Sequence, residues 1–384
     1  MSTERPTRAR PRATPRRRTG AAAQAGGDPG PALSLQPGDR VGVTGASGFI
    51  GSAVTRALLD RGASVVALVE PGADLANLAD LEVERVEADI RRADALGDAV
   101  RGCRAVFHVA ALYRFWARDR RQFYEVNVGG TRNVIDAVRA AGVERMVYTS
   151  TVGTLGLDAA HRGGTADEND YPDVRHLFGS YKRSKYVAEH EVLRAAAQGL
   201  AVSIVLPTFP VGPRDRVPTP TGRLVLDYLN GRVPGYVETT LNVAHVDDVA
   251  VGHVLALERG ENGRSYILGG ENYSLQRLLG ELAACTGLPE ARWRVPRALS
   301  LGVAHVSEFV EGGLLHRHPS VPIEAARMST THMAFDDARA RKELGYAPRP
   351  AVQAIEASAR WFADNGYVKA ARQARIRWRS ATGS

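Results

Sequence analysis

Cysteine and lysine are scarce in this chain, and a long apolar run is missing altogether. The two cysteines, Cys103 and Cys285, lie far apart with no Cys-x-x-Cys and no Cys/His cluster around them. That argues against a disulfide framework and against a structural zinc site, and a reducing, cytoplasmic setting is expected. No segment approaches the roughly 20 apolar residues of a membrane span, so the chain reads as soluble or peripheral at most. The Ala21 to Ala25 stretch is too short for the apolar core of a signal peptide, and Gly-Gly-Asp-Pro-Gly follows it. Of the fifty Lys and Arg, only Lys182, Lys185, Lys342 and Lys369 are lysines. Two of the four fall within one short stretch, "SYKRSKYVAEHE", which raises the question of what lysine does there that arginine cannot.

The net charge of +8 would by itself admit a nucleic acid or an anionic membrane as partner. Its distribution decides otherwise. Residues 1–20 carry seven Arg and one Glu, residues 369–379 carry Lys369, Arg372, Arg375, Arg377 and Arg379, and the span 21–368 is left at −3. Basic ends on a faintly acidic body imply no specific nucleic-acid binding; both ends are expected to be solvated, with peripheral contact to anionic lipid as the lesser use. Residues 1–38 hold too few apolar side chains to repay ordering and are expected to be disordered.

From Asp39 onward strand-like and helix-like segments alternate, with strands at 39–45, 64–70, 81–89, 104–111, 144–151 and 201–207 and helices at 48–61, 119–141 and 181–199. That pattern predicts an α/β fold, a doubly wound parallel sheet of the Rossmann kind with at least six strands, and ligands outside the carboxyl ends of the strands. Prolines at 207, 210, 213, 218 and 220 then break the regularity. Helices near 222–231, 245–258, 274–286, 296–312 and 351–366 and a strand at 264–270 predict a smaller C-terminal substrate-binding lid, part of which returns to the main sheet. The expected organisation is a tail at 1–38, a dinucleotide-binding domain at 39–207, a substrate-binding portion at 208–366 and a basic tail at 367–384.

Directly after the first strand stands "GVTGASGFIGSAV", with glycines at 42, 45, 48 and 51. Glycines so spaced let the backbone turn tightly and approach a pyrophosphate at a helix N-terminus. Glu70 ends the second strand, where a carboxylate binds ribose hydroxyls. It favours NAD over NADP, whose 2′-phosphate it would repel. Asp89, ending the third strand, is placed for the adenine amino group. Tyr181 and Lys185 are four apart in a helical pattern and share a face. A nearby ammonium lowers the pKa of a phenol, and a compact ammonium suits that role better than a guanidinium. Hydroxyls at Thr149, Ser150 and Thr151 follow the fifth strand. A hydroxyl, a phenol acid/base and a nicotinamide together are sufficient for alcohol dehydrogenation with no metal.

The ordered motifs "TGASGFIG", "FHVAA", "YEVNVGGTRNVIDA", "YTSTVGTLG", "YKRSKYVAE", "LPTFPVGP" and "NVAHVDDVA" over about 40–366 resemble the extended short-chain dehydrogenase/reductases, the NAD-dependent epimerase/dehydratase family. "LYRFWARDRRQFYEVN" and "YILGGENYSLQ" look most similar to the hopanoid-associated sugar epimerases, neighbours of the dihydroflavonol 4-reductases and 3β-hydroxysteroid dehydrogenases. The resemblance implies Tyr181 as acid/base, Lys185 as its ribose-binding partner and Thr151, with Ser150 beside it, as the catalytic hydroxyl. It also implies Gly45, Ser47, Gly48, Phe49, Ile50 and Gly51 at the pyrophosphate, Asp89 and Ile90 at the adenine, Ala110 and Ala111 over the ribose, Asn127 buried, and Pro207 at the nicotinamide. Tyr113, Trp116, Arg214 and His245 become candidate substrate contacts, with His245 and Asp247 hinging the lid. A homodimer paired through 119–141 and 181–199 is the family habit.

The resemblance departs at two places. Glu70 stands where related reductases carry arginine, and Val152 and Gly153 follow Thr151 where sugar 4,6-dehydratases place an Asp-Glu pair. Elimination is therefore not expected. The expected activity is reversible hydride transfer at a secondary alcohol or ketone on a small-molecule or lipid-linked substrate, first as epimerisation of a sugar or hopanoid-linked sugar-like group. The alternative is net reduction or dehydrogenation of a polycyclic or lipid substrate. A non-catalytic NAD-binding protein ranks below both, because the tyrosine, lysine and hydroxyl are all present.

Overall fold

The computed structural model describes residues 33–379 except 315, 316, 318, 320, 321 and 330. Of the tail expected at 1–38, residues 1–32 lie outside the described residues. The main sheet is built from β1 (Arg40–Thr44), β2 (Ser64–Val69), β3 (Glu84–Glu87), β4 (Ala105–His108), β5 (Arg145–Thr149) and β6 (Val202–Pro207). The lid adds β7 (Phe209–Val211), β8 (Gly235–Tyr236), β9 (Thr240–His245), β10 (Ser265–Leu268), β11 (Glu271–Ser274) and β12 (Trp293–Arg294). The expected doubly wound parallel sheet is present with seven strands in the order β10-β6-β5-β4-β1-β2-β3. Every pairing in it is parallel.

The strands read as continuous apolar runs because both faces are covered, which is how parallel sheets are packed. In β5, Met146 and Tyr148 face one core and Val147 faces the other. Helices α1 (Phe49–Leu59) and α5 (Val246–Arg259) cover the second face, with Val54, Leu58, Val249 and Val254 buried there. Helices α2 (Gly130–Ala140) and α3 (Ser180–Ala197) cover the first with Val134, Val138, Ala188 and Val192. The lid has its own core, where α4 (Pro220–Leu229), α6 (Leu275–Thr286) and α8 (Ala351–Asp364) pack Leu229, Leu279, Leu282, Ile355 and Phe362 together. A further lid helix, α7 (Arg297–Ser307), buries only Ala304.

The helix expected at about 119–141 is present over 121–140, with a wider, π-type turn at Glu125–Gly129 immediately before α2. The Asn127 side chain there is spent on its neighbours, accepting from Leu112 N at 2.7 Å and donating to Ser184 Oγ at 2.9 Å. Turns of this kind concentrate at functional sites. The expected basic C-terminal tail, by contrast, is not a free end in its described part. Val368 and Ile376 are buried in the lid core, Arg372 Nε donates to Leu229 O at 2.9 Å, and Arg377 N donates to Thr286 O at 2.7 Å. Apolar residues spaced between the arginines carry the packing, and net charge alone hid them.

Candidate active site

The turn between β1 and α1 leaves no space for side chains where a diphosphate would lie. Gly45 has φ +67°, and a Cβ there would come within 2.9 Å of Ala110 Cα; a Cβ on Gly51 would lie 2.0 Å from the carbonyl oxygen of Gly45. Only glycine permits both approaches, so the backbone and the start of α1 form an open cradle. Thr44 fixes the opposite wall: its hydroxyl accepts from Val109 N and Ala110 N, each at 3.1 Å, and bonds His108 Nδ1 at 2.8 Å. A cleft of about 390 Å³ runs from this cradle to Tyr181 and Lys185. Of the residues expected to hold the cofactor, all except Asn127 line it. Asn127 is instead buried behind the loop at Leu112 and holds that loop in place.

At the adenosine end Glu70 and Asp89 are joined by a residue that sequence reading passed over. Arg91 bridges Asp89 at 2.6 Å and lies 3.5 Å from Glu70. Its guanidinium holds the Asp89 carboxyl below the ordinary carboxylate range. Glu70 thus lines the cleft beside a cation that offsets part of its charge.

At the chemical end α3 presents Tyr181, Lys185 and Glu189 at successive turns of one face. Lys185 Nζ is buried and donates to Tyr148 Oη at 2.8 Å and Thr149 O at 2.7 Å. Burial pushes its pKa down to about 7, opposed by the charge of Glu189. Glu189 in turn accepts from the hydroxyls of Ser150 and Thr154, and its own pKa is raised by burial. Burial also raises the Tyr181 phenol, with a hydrogen bond to Thr151 pulling the other way. The expected lowering of that phenol by Lys185 is not the governing effect here, because the ammonium is held on Tyr148 and Thr149 and is itself partly discharged. Thr151 Oγ1 accepts from Gly153 N at 3.1 Å, which orients the hydroxyl while leaving its proton free to donate. Tyr148 and Glu189 were missed in the sequence. The repeat of four from Tyr181 to Lys185 to Glu189 was the available signal for the second of them.

The substrate candidates divide. Tyr113 lines the cleft with its ring centroid 4.7 Å from that of Tyr181. Trp116 lines a second cavity of about 250 Å³ with Phe115, Phe178, Ile323 and Glu324. One loop therefore walls both spaces, and so does the start of α3, since Gly179 and Ser180 line the second. Arg214 and His245 line neither cavity. Arg214 has φ +72° and pairs with Asp247, while His245 Nδ1 accepts from Asp247 N at 3.1 Å as the N-cap of α5. Asp247 takes one guanidinium nitrogen of Arg214 and its own backbone N–H bonds His245 Nδ1, so both side chains are corrected from substrate contacts to ones that fix the start of α5.

The lid supplies a group that no motif announced. Glu324 reaches over Gly179, where a Cβ would lie 2.0 Å from its carboxylate. Gly179 has φ +85°, so this position requires glycine twice over. Burial pushes the Glu324 pKa up to about 7 against the pull of Lys182 and Arg120, and Oε1 is buried with no hydrogen-bond partner among the described residues. Its charge reaches Tyr181 and Tyr113. Lys182, two residues past the start of α3, is desolvated and its pKa lowered, with Glu324 opposing.

A family model described as the NAD dependent epimerase/dehydratase family matches residues 41–269. A Synechocystis sp. protein provisionally named dihydroflavonol 4-reductase is 44% identical over 331 residues, 85% of this chain and 95% of that protein. Sterol demethylase protein B of Methylococcus capsulatus is 33% identical over 327 residues, covering 85% and 99%. The crystal structure of gox2253 superposes with a TM-score of 0.77 at 45% identity, covering 86% of this chain and all of that one.

Proposed function

The chain belongs to the NAD dependent epimerase/dehydratase family, NAD is its cofactor, and we propose that it is an oxidoreductase acting on a secondary alcohol or ketone attached to a largely apolar ring system. The observation that carries the substrate side of this reading is the cavity walled by Phe115, Trp116, Phe178 and Ile323 at the start of the helix that bears Tyr181. Relatives named as a dihydroflavonol reductase and a sterol demethylase component support the same substrate class. In this reading the glycine cradle takes the diphosphate and Glu70, beside Arg91, takes the adenosine ribose. Lys185 takes the nicotinamide ribose. NAD, when bound, supplies the hydride acceptor and a cationic ring.

The chain's own residues handle the proton. Thr151 donates to the substrate oxygen, and Tyr181 takes or returns the proton of that oxygen. The raised phenol pKa keeps Tyr181 protonated, the form that donation in the reductive direction requires, and leaves little phenolate to act as base until positive charge is placed beside it. Lys185, titrating near neutrality and within the same buried group as Glu189, Tyr148 and Ser150, provides the route by which the proton is exchanged.

A second reading, epimerisation of a sugar-like group, draws on Glu324, whose unpartnered buried oxygen is a ready acceptor for a hydroxyl. Net turnover separates the two. With purified protein, NADH and a panel of cyclic ketones, the oxidoreductase reading expects stoichiometric loss of NADH absorbance. Interconversion of epimers with no net change in NADH would overturn it in favour of the second.

A further inference from the structure

The two acceptors of the Lys185 ammonium stand on consecutive residues of β5, Tyr148 through its hydroxyl and Thr149 through its carbonyl. Successive residues of a strand face opposite sides of the sheet, and a buried histidine stands behind each. On the α2 side it is His108, the last residue of β4, and on the α5 side it is His253. They are 1% and 0% exposed, and neither lines the cleft.

The hydrogen bonds fix the protonation of each ring. The Thr44 hydroxyl accepts from Val109 N and Ala110 N, which fills both lone pairs of its oxygen, so its own proton can go only to His108 Nδ1 at 2.8 Å. The His108 proton is therefore on Nε2 and is donated to Thr131 Oγ1 at 3.0 Å. Thr131 spends its own proton on Asn127 O at 2.6 Å. Its second lone pair takes the hydroxyl proton of Tyr148, with which it shares a hydrogen bond, and a Tyr148 lone pair is left facing Lys185 Nζ. His253 is the mirror case. Its Nδ1 lies 2.7 Å from Val249 O, which can only accept, so the proton is on Nδ1 and Nε2 accepts from the Thr149 hydroxyl at 2.9 Å. A second proton on His108 would point at an oxygen with no lone pair to offer. Burial acts in the same sense, pushing the His108 pKa down to about 3, with the charge of Lys185 adding to it, and that of His253 down to about 4.

We infer that His108 and His253 are positioning residues, held as neutral imidazoles of opposite tautomer, which aim Tyr148 and Thr149 at Lys185 from the two faces of the sheet and tie the loop at Val109 and Ala110 to the same unit. Two of the three ammonium protons are thereby fixed, and the third is left for the cleft that Lys185 lines. That this third proton meets the nicotinamide ribose rests on the reading proposed above. The titratable groups around the ammonium are Glu189 and Tyr181 on α3, Tyr148 on β5 and His108 on β4. A positive charge on His108 would compete with that of Lys185, and the Nε2 tautomer removes it.

The first measurement uses the full chain with isotope-labelled histidine, in which long-range proton–nitrogen correlations report the protonated ring nitrogen; His108→Gln and His253→Gln assign the two signals by their loss. His108 is expected with its proton on Nε2 and His253 with its proton on Nδ1, both unchanged from about pH 5 to 8, where an ordinary histidine titrates. The same tautomer on both rings, or titration of either in that range, overturns the proposal. Positioning is read from the Kd for NAD. His108→Gln keeps a donor for Thr131 but offers Thr44 no acceptor, and is expected to raise that Kd about tenfold; His108→Asn keeps the acceptor and is expected to raise it about threefold or less. Equal losses in the two overturn the tie to the loop. Thr131→Val leaves the Tyr148 proton to compete with Lys185 for one oxygen, which disfavours the charged ammonium. The pH at which NAD affinity falls through Lys185 is expected about half a unit to one unit lower, with Thr131→Ser restoring it, and an unmoved inflection overturns the aiming of Lys185. Where a variant does not fold, the tautomers of the wild type decide. A wild type with the expected tautomers but no inflection in NAD affinity removes Lys185 from the ribose and leaves the two histidines as assigned.

Discussion

At the adenosine end of the cleft Glu70 is 70% exposed and paired loosely with Arg91, and the diphosphate position is lined by backbone. At the chemical end Lys185 is 2% exposed, Glu324 carries a buried unpartnered oxygen, and Lys182, Glu189 and Tyr181 all have pKa values displaced first by burial. One end recognises its ligand by shape and screened charge, which is cheap to alter. The other holds several ionisable groups away from water, where each change of charge is felt by the rest. Substitutions at the buried end should therefore cost far more than those at the open end.

The largest difference is expected for Tyr181→Phe, which should lower kcat about a thousandfold or more while the Kd for NAD changes less than severalfold. Near-normal turnover would remove the acid/base role. Next, pH should act on the buried end with a sign that can be worked out. Glu324 has a folded pKa of about 7 against an ordinary 4.5, so the folded chain holds more protons between these values and stability falls as pH rises through them. Lys185 has a folded pKa of about 7 against an ordinary 10.5, so the folded chain holds fewer protons over that window and stability rises with pH. Together they place a minimum of stability near neutrality, with slopes of up to roughly 1.4 kcal/mol per pH unit on either side. Denaturant titrations of Glu324→Gln should lose the acid-side slope and leave the alkaline one.

Lys182 sharpens the comparison at a smaller scale. It is desolvated, its stem packs on Gly153, and it faces Glu324. Lys182→Arg should cost about 1–3 kcal/mol through overpacking, and part of that cost should disappear in a Glu324→Ala background; thermal melts of the single and double variants measure the coupling. The smallest effect belongs to the open end. Glu70→Ala should raise affinity for NADP relative to NAD about tenfold or less, because Arg91 remains held by Asp89; titration with both cofactors reads the ratio. A shift as large as that of Tyr181→Phe would dissolve the contrast between the two ends.

The same division governed what could be read in the sequence. The cradle was legible because strand, glycines and helix are contiguous, so local pattern and tertiary role coincide. Tyr181 and Lys185 were legible as one face of one helix, and Glu189 was available on the same face. Glu324 was not, since it comes from more than a hundred residues beyond α3 and carries no motif; only the lid's packing brings it over Gly179. Arg214 and His245 failed for the converse reason. Their types suggested recognition, while Asp247 engages one guanidinium nitrogen of Arg214 and the Nδ1 of His245 at the start of α5, away from both cavities. The described C-terminal residues misled through net charge, which reports nothing about the apolar side chains between the arginines.

Strand β10 pairs with the free side of β6, with Ser265 opposite Ile204 and Leu268 opposite Pro207, while α5 covers one face of the same sheet. During synthesis the first 207 residues therefore emerge with β6 as an unprotected edge and with part of the sheet's apolar face bare. That is the condition under which chains pair with one another instead of with themselves. Part of the C-terminal portion thus completes the main sheet, so the N-terminal half cannot mature before that portion has been made.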